Sequence, residues 1–389
     1  MLARHGRPTM VAIFECPRGI PVASKRGPVL RVLFTTLVVL WSINFVASLC
    51  IDGRVLQRRW MPKVSAKAKR ASLEDGELAY RVYREFGQLE TVYQPYVAWT
   101  RAPFAGEVIT VNDAGDRVHP THRDPGDSAA RHVRFFGGST MWGSGVDDQN
   151  TIPAHFNALH PEYVVDNHGE SGYVSRQALA RLIDLVTQSE PMDLVIFYDG
   201  CNDLYSLCRE DVSLTGHREQ GKIARRMERG SAVADGLVGS TLEVARAIGQ
   251  ELGIVGDEPE VLCPDDPEFA QRVADTMVNN WRIARRVAAL AGAEFHAFLQ
   301  PTAVLGEPNV EYLADRTRGR RAACYMTVYP LVQKIIREEG EDWMHDLTDA
   351  FDVDEYIYID TCHVNGRGNQ IVAERMDALV GHVLAPKGD

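Results

Sequence analysis

Three short apolar runs, Val133–Phe136, Tyr163–Val165 and Leu194–Tyr198, each stop at a loop of glycines and small polar residues. The loops read Gly137-Gly138-Ser139, Asn167-His168-Gly169-Glu170-Ser171-Gly172 and Asp199-Gly200-Cys201-Asn202-Asp203. Helical stretches separate the runs, for example Ser175–Gln188. A further strand is expected at Glu294–Leu299. After Gly366 and Gly368 a closing helix carries Ile371, Val372, Met376, Leu379 and Val380 near helical spacing. Strands alternating with helices predict an α/β fold of three layers, a central parallel sheet with helices on both faces. Such sheets bind ligands at the carboxyl ends of their strands, so the three loops are expected to meet at one crevice.

A different pattern marks the N-terminus. Val32–Ile51 is twenty residues without a charge, interrupted only by Thr35, Thr36, Ser42, Asn44 and Ser48. At about 1.5 Å per residue it reaches roughly 30 Å, the depth of a bilayer's hydrocarbon core. One transmembrane helix is therefore expected at 32–51, behind a basic tail at 1–31. The run exceeds the apolar core of a cleaved signal, and no A-x-A site follows it; Leu49 before Cys50 does not suit a lipoprotein signal. Beyond the span, residues 52–130 read as a basic helical neck to about Phe86, then a small β appendage with a turn at Asn112-Asp113-Ala114-Gly115. Residues 131–389 form the expected α/β domain. The stretch 205–293 is longer than a crossover between parallel strands requires and is expected to hold a helical insertion, either a lid or a purely structural one.

Composition narrows the partners. The chain has 389 residues, 45% apolar and 24% charged, with a net charge of −11. The first 51 residues carry six basic side chains and one acid, leaving a net −16 on the rest. A body this acidic is a poor ligand for nucleic acid, whose phosphates need clustered Lys and Arg. Of the cysteines in the body, Cys201 and Cys208 are close enough in sequence to bridge a short loop, and an interior of free thiols is equally consistent.

The chemistry lies in Ser139 and in the late segment Asp360-Thr361-Cys362-His363-Val364-Asn365-Gly366. A serine hydroxyl becomes a nucleophile when an imidazole takes its proton and a carboxylate holds that imidazole in the right tautomer. Asp360 and His363 are spaced for that pairing. Attack on an ester carbonyl also needs donors already aimed at the developing oxyanion. The N–H groups of Ser139 and Gly172 and the side-chain amide of Asn202 are the candidates. Asp166, Asp199, Asp203 and Glu170 read as loop and capping carboxylates.

These four segments, in this order, resemble the SGNH (GDSL-type) hydrolase superfamily, a flavodoxin-like fold. The resemblance runs from about Arg131 to Leu384 and departs from the family's GDS triplet at Gly138, where an aspartate is usual. It implies a serine ester hydrolase with Ser139, Asp360 and His363 as catalytic residues and Ser139, Gly172 and Asn202 as the oxyanion hole. No cofactor and no metal are implied, and no HExxH or paired-cysteine motif is present. The substrate class it suggests is O-acyl, above all O-acetyl, esters of small molecules or cell-surface polysaccharide. A catalytically silent glycan-binding or scaffold module and an O-acyltransferase are the alternatives. Basic residues flanking the span favour a cytoplasmic body, whereas the resemblance implies an extracytoplasmic one; the outer face is the expectation adopted.

Overall fold

The computed structural model describes residues 26–60, 76–121, 123, 130–228, 240–242, 244–245, 259–313 and 319–384. The tail expected at 1–31, up to Lys25, and the neck at 61–75 lie outside the described residues. Two compact units are present, residues 1–51 with 231–251 and residues 52–230 with 252–389.

Helix α1 (Arg26–Trp60), which belongs to the first unit as far as Ile51, contains the stretch Leu30–Cys50, with mean hydropathy 2.0, long and apolar enough to cross a membrane. Most of its large apolar side chains point outward, from Leu30 to Leu49. Its hydroxyls fold back onto their own helix: Thr35 donates to the Arg31 carbonyl and Thr36 to that of Val32, 2.8 Å each. Asn44, the amide in the span, accepts from the N–H of Thr241 at 3.1 Å.

The second unit is built on a five-stranded parallel sheet. Its strands follow two small antiparallel pairs, β1 (Thr91–Gln94) with β2 (Ala98–Arg101) and β3 (Phe104–Ala105) with β4 (Thr110–Val111). The sheet comprises β5 (His132–Gly137), β6 (Val164–Asn167), β7 (Leu194–Asp199), β8 (Glu294–Leu299) and β9 (Met344–Asp346). Their order is β6-β5-β7-β8-β9, all parallel. The chain leaves β5 in one direction and returns past it to β7, which makes the gap beyond β5 and β7 the switch point where ligands bind in such folds.

Helices cover both faces. Among the described residues the helices of this unit are α2 (Gly76–Phe86), α3 (Ser139–Trp142), α4 (Ile152–Leu159), α5 (Ser175–Thr187), α6 (Cys201–Ser206), α7 (Gln220–Glu228), α8 (Pro267–Leu290), α9 (Arg320–Glu339) and α10 (Gly366–Leu384), of which α4, α5, α8, α9 and α10 cover the sheet. The central strands are apolar on both sides because both sides are covered. Phe136, Val195, Phe197, Phe295 and Leu299 face α5, α8 and α9. Val133, Phe135, Ile196, Tyr198 and Phe298 face α4 and α10. On α10, Ile371, Val372, Met376 and Val380 enter that core, while Leu379 is 40% exposed and turns outward.

The insertion expected at 205–293 is shorter than that range. Helix α8 is capped by Asp266, whose carboxylate accepts from the Phe269 N–H at 2.9 Å, with Pro267 at its first position. It buries Val273, Met277, Trp281 and Ala284 against the sheet. A helix with that apolar stripe is one of the covering layers, so only the residues before Asp266 exceed a normal crossover. Within them Cys208 bonds Cys263, not Cys201, across a sequence separation of 55 residues.

The appendage packs on the helix that carries Ser139. Val82 of α2, Val108, Ile109 and Val111 form a small core with Trp142 of α3. The buried Glu85 carboxylate satisfies three backbone N–H groups of the β3–β4 turn, those of Glu107, Val108 and Ile109, at 2.9–3.1 Å.

Candidate active site

Strand β5 ends at Gly137, and Ser139 is the first residue of the four-residue helix α3. A first-turn N–H has no partner within its helix, so the Ser139 amide is left for an external acceptor. Both glycines ahead of it are closely approached, Gly137 by backbone and Gly138 by a side chain. A Cβ at Gly137 would sit 2.5 Å from the Tyr198 carbonyl oxygen, and one at Gly138 would sit 2.3 Å from Nδ2 of Asn202. Gly138 thus stands against the Asn202 amide where the resemblance has an aspartate.

The structure brings Ser139, His363 and Asp360 into one hydrogen-bonded chain. Nε2 of His363 lies 2.7 Å from Ser139 Oγ, and its Nδ1 lies 2.9 and 3.0 Å from the two Asp360 oxygens. Asp360 also accepts from the N–H groups of Cys362 and His363, both at 3.0 Å, which fixes the carboxylate against its own loop. Asp360 is buried, and the His363 side chain retains 21% exposure, an open edge toward solvent.

The other two loops carry the expected donors. Gly172 follows β6 with φ +84°, a left-handed conformation that glycine adopts at little cost. A Cβ there would lie 2.7 Å from a guanidinium nitrogen of Arg218. Neither the Gly172 nor the Ser139 N–H donates a backbone hydrogen bond to another described residue. Asn202 stands in the first turn of α6, after β7. One of its amide hydrogens goes to the Tyr173 carbonyl at 2.9 Å, which orients the group and leaves the second hydrogen free to point away.

The neighbouring carboxylates hold these loops. Asp203 accepts from the N–H and hydroxyl of Ser175 at 2.5–3.0 Å, at the start of α5. Burial pushes its carboxyl up to about 7, with the Ser175 hydrogen bonds opposing. Asp199 accepts from the Trp281 indole at 2.8 Å. Glu170, buried in the Gly172 loop, pairs with Arg101 at 3.1 Å; burial pushes it up to about 7, with Arg101 pulling it back. Asp166 faces outward to Arg134 at 2.6 Å.

Four residues at or beside the site carried no local signal in the sequence. Arg117, with no side-chain exposure, donates to the carbonyls of Trp142, Gly143 and Val146 and pairs with Asp148. Its work is to hold the turn after α3. The Tyr83 hydroxyl lies 3.3 Å from where a Gly145 Cβ would stand, and burial together with the Asp360 charge pushes its phenol up. Trp99 donates its indole N–H to the Ser171 carbonyl at 3.1 Å. Arg218 covers Gly172 as described. Among the described residues, one trio of potential metal ligands clusters, Cys208, Cys263 and Cys324. The first two are joined as a disulfide and offer no thiolates.

A search of curated proteins returns no match. Solved structures that align with the chain include a carbohydrate acetylesterase family member from Sinorhizobium meliloti, at 16% identity over 66% of this chain and 100% of that one, TM-score 0.33. An acetylxylan esterase from Geobacillus stearothermophilus aligns at 14% identity over 64% and 94%, TM-score 0.35. A member of the lipolytic G-D-S-L family from Veillonella parvula aligns at 12% identity over 63% and 96%, TM-score 0.36. Residues 135–371, the sheet from β5 through the start of α10, match the GDSL-like lipase/acylhydrolase family, and the chain is a GDSL-type esterase of that family.

Proposed function

We propose that the esterase works through Ser139 as nucleophile, His363 as general base and then acid, and Asp360 as the group that orients and stabilises the imidazole. The observation that carries this reading is the continuous chain from Asp360 through both nitrogens of His363 to Ser139 Oγ, 2.9 and 2.7 Å. His363 Nε2 takes the hydroxyl proton as Oγ attacks the acyl carbon. The carbonyl oxygen turns negative and is met by the N–H groups of Ser139 and Gly172 and the free amide hydrogen of Asn202. Collapse expels the alcohol, protonated by His363. A water deprotonated by the same nitrogen then releases the acid and restores Ser139.

The substrate we assign is an O-acetyl or similar short O-acyl ester on cell-surface polysaccharide, met by a body held at the outer face of the membrane through α1. The Cys208–Cys263 disulfide favours that side, because such bonds persist in oxidising compartments. The test is an ester series: acetyl, butyryl and long-chain p-nitrophenyl esters given to the purified full-length chain and to Ser139→Ala. Hydrolysis led by acetate in the first and absent from the second is the expected result. Undiminished turnover by the alanine variant overturns the mechanism, and a preference for long chains overturns the substrate.

A further inference from the structure

The β1–β2 hairpin lies outside the part of the chain that matches the family, yet it is bolted to the loop carrying Gly172. Trp99 donates to the Ser171 carbonyl, Tyr173 donates its hydroxyl to the Trp99 carbonyl, Arg101 pairs with Glu170, and Gln177 donates to the Val97 carbonyl. The Trp99 ring meets Tyr173 edge-on at 5.6 Å and His217 at 5.4 Å. His217 precedes Arg218, the residue lying over Gly172. The hairpin is thus fixed to the loop that carries Gly172.

What the hairpin presents is aromatic. Tyr93 pairs directly with Trp99 across the strands, so the two side chains share one face. Tyr93 is 78% exposed and Tyr96, at the tip, 96%. Two non-glycine residues here have positive φ, Tyr96 in the turn at +63° and Ala98 at the start of β2 at +74°. That conformation is disfavoured for residues with a Cβ, and a fold that keeps it while holding a bare tyrosine ring in water points to a use for the ring.

We infer that Tyr93 and Tyr96 form a binding subsite for the sugar rings of a polymeric ester substrate, continuous through Trp99 with the Gly172 loop. The inference rests on the ester-hydrolase reading of Ser139 and deepens it. An acyl group as small as acetate supplies little contact of its own, so affinity has to come from the non-reacting remainder of the substrate. A pyranose lays its axial C–H bonds on the electron-rich face of an aromatic ring while its hydroxyls point to hydrogen-bond donors at the rim. The hairpin offers the rings, and the half-exposed Arg218 offers the donors.

Binding is tested separately from turnover. Full-length Ser139→Ala, which keeps the sugar bound uncleaved, is run through affinity gels containing O-acetylated xylan, alginate or chitooligosaccharide. The same background carrying Tyr93→Ala with Tyr96→Ala, and Tyr93→Phe with Tyr96→Phe, is compared, with circular dichroism reporting the fold. Retardation by at least one polymer, weakened roughly tenfold in the alanine pair and kept in the phenylalanine pair, is the expected result. In the Ser139 background, the alanine pair should raise KM for that polymer far more than it changes KM for p-nitrophenyl acetate. No retardation by any of the polymers, or equal retardation in all variants, overturns the subsite. A loss confined to detergent-dispersed long-chain esters also overturns it, in favour of a lipid-facing hairpin. Failure of p-nitrophenyl acetate hydrolysis by the parent protein strikes the catalytic reading instead, and leaves the gel result to decide the subsite by itself.

Discussion

Replacing Arg117 with alanine should unfasten the turn behind the nucleophile. Its guanidinium donates Nη1 to the Gly143 carbonyl at 2.7 Å and the Trp142 carbonyl at 3.3 Å, Nη2 to the Val146 carbonyl at 2.8 Å, and Nε to Asp148 at 3.0 Å. It also lies 4.4 Å from the centre of the Trp142 ring. Breaking a buried ion pair by removing one partner costs about 3–5 kcal/mol. Each carbonyl left without a donor adds about 1–3 kcal/mol, less whatever water entering the vacated space restores. A loss of at least ~4 kcal/mol is expected, against the 5–15 kcal/mol that typically holds a domain together. Arg117→Lys keeps a charge but cannot reach three carbonyls and a carboxylate at once, so it should lose roughly half as much. The assay is urea unfolding of the full-length protein followed by near-ultraviolet circular dichroism, with Asp148→Asn completing a double-mutant cycle. A coupling above about 1 kcal/mol and a fall in esterase rate in the folded Lys variant are expected, because α3 and Ser139 rest on that turn. A loss below ~1 kcal/mol with normal turnover would refute the claim that the appendage supports the site.

Asn202→Ala should lower kcat/KM for p-nitrophenyl acetate by about 10²–10³, roughly 2.7–4 kcal/mol of transition-state stabilisation, mostly in kcat; Gly138→Ala, whose Cβ would press on Asn202 Nδ2, should fall in the same direction, and a full-rate Asn202→Ala would remove the amide from the oxyanion hole. Glu170 titrates near 7 in the folded chain and near 4.5 when unfolded, so the fold holds the extra proton between those values. Its contribution is complete below the unfolded value and is lost as pH rises through about 7; Glu170→Gln should flatten the fall in unfolding midpoint between pH 5 and 7.5, and an unchanged slope would contradict the assignment. Full-length protein should stay with membranes through carbonate extraction, and protease added outside sealed spheroplasts should cut the body; complete protection there would place the body in the cytoplasm.

Much of the site was legible because its residues sit where strands end, and strand ends are written locally. The runs before Gly137, Asn167 and Gly200 name their own loops, and Asp360 and His363 are neighbours in sequence as well as in space. What escaped depends on distant partners. Arg117 looks like any charged residue near a turn until Trp142, Gly143 and Val146 arrive around it. Trp99 and Arg218 reach the Gly172 loop from segments on either side of it. The α8 stripe of Val273, Met277 and Trp281 suits a lid or a covering helix equally, and only the sheet beneath decides. Leu379 fits a helical period but falls at the edge of the buried face. Cys208 found its partner at Cys263 rather than the nearer Cys201, since the bond follows the packing of the two segments and not their separation.

The central claim is that Ser139 is an activated nucleophile, and fluorophosphonate labelling of the full-length protein with peptide mass spectrometry tests it most directly. The account predicts one phosphonylated residue, Ser139, with labelling abolished in His363→Ala and strongly slowed in Asp360→Asn. An unlabelled, folded protein, or a label that persists at Ser139 without His363, would contradict it.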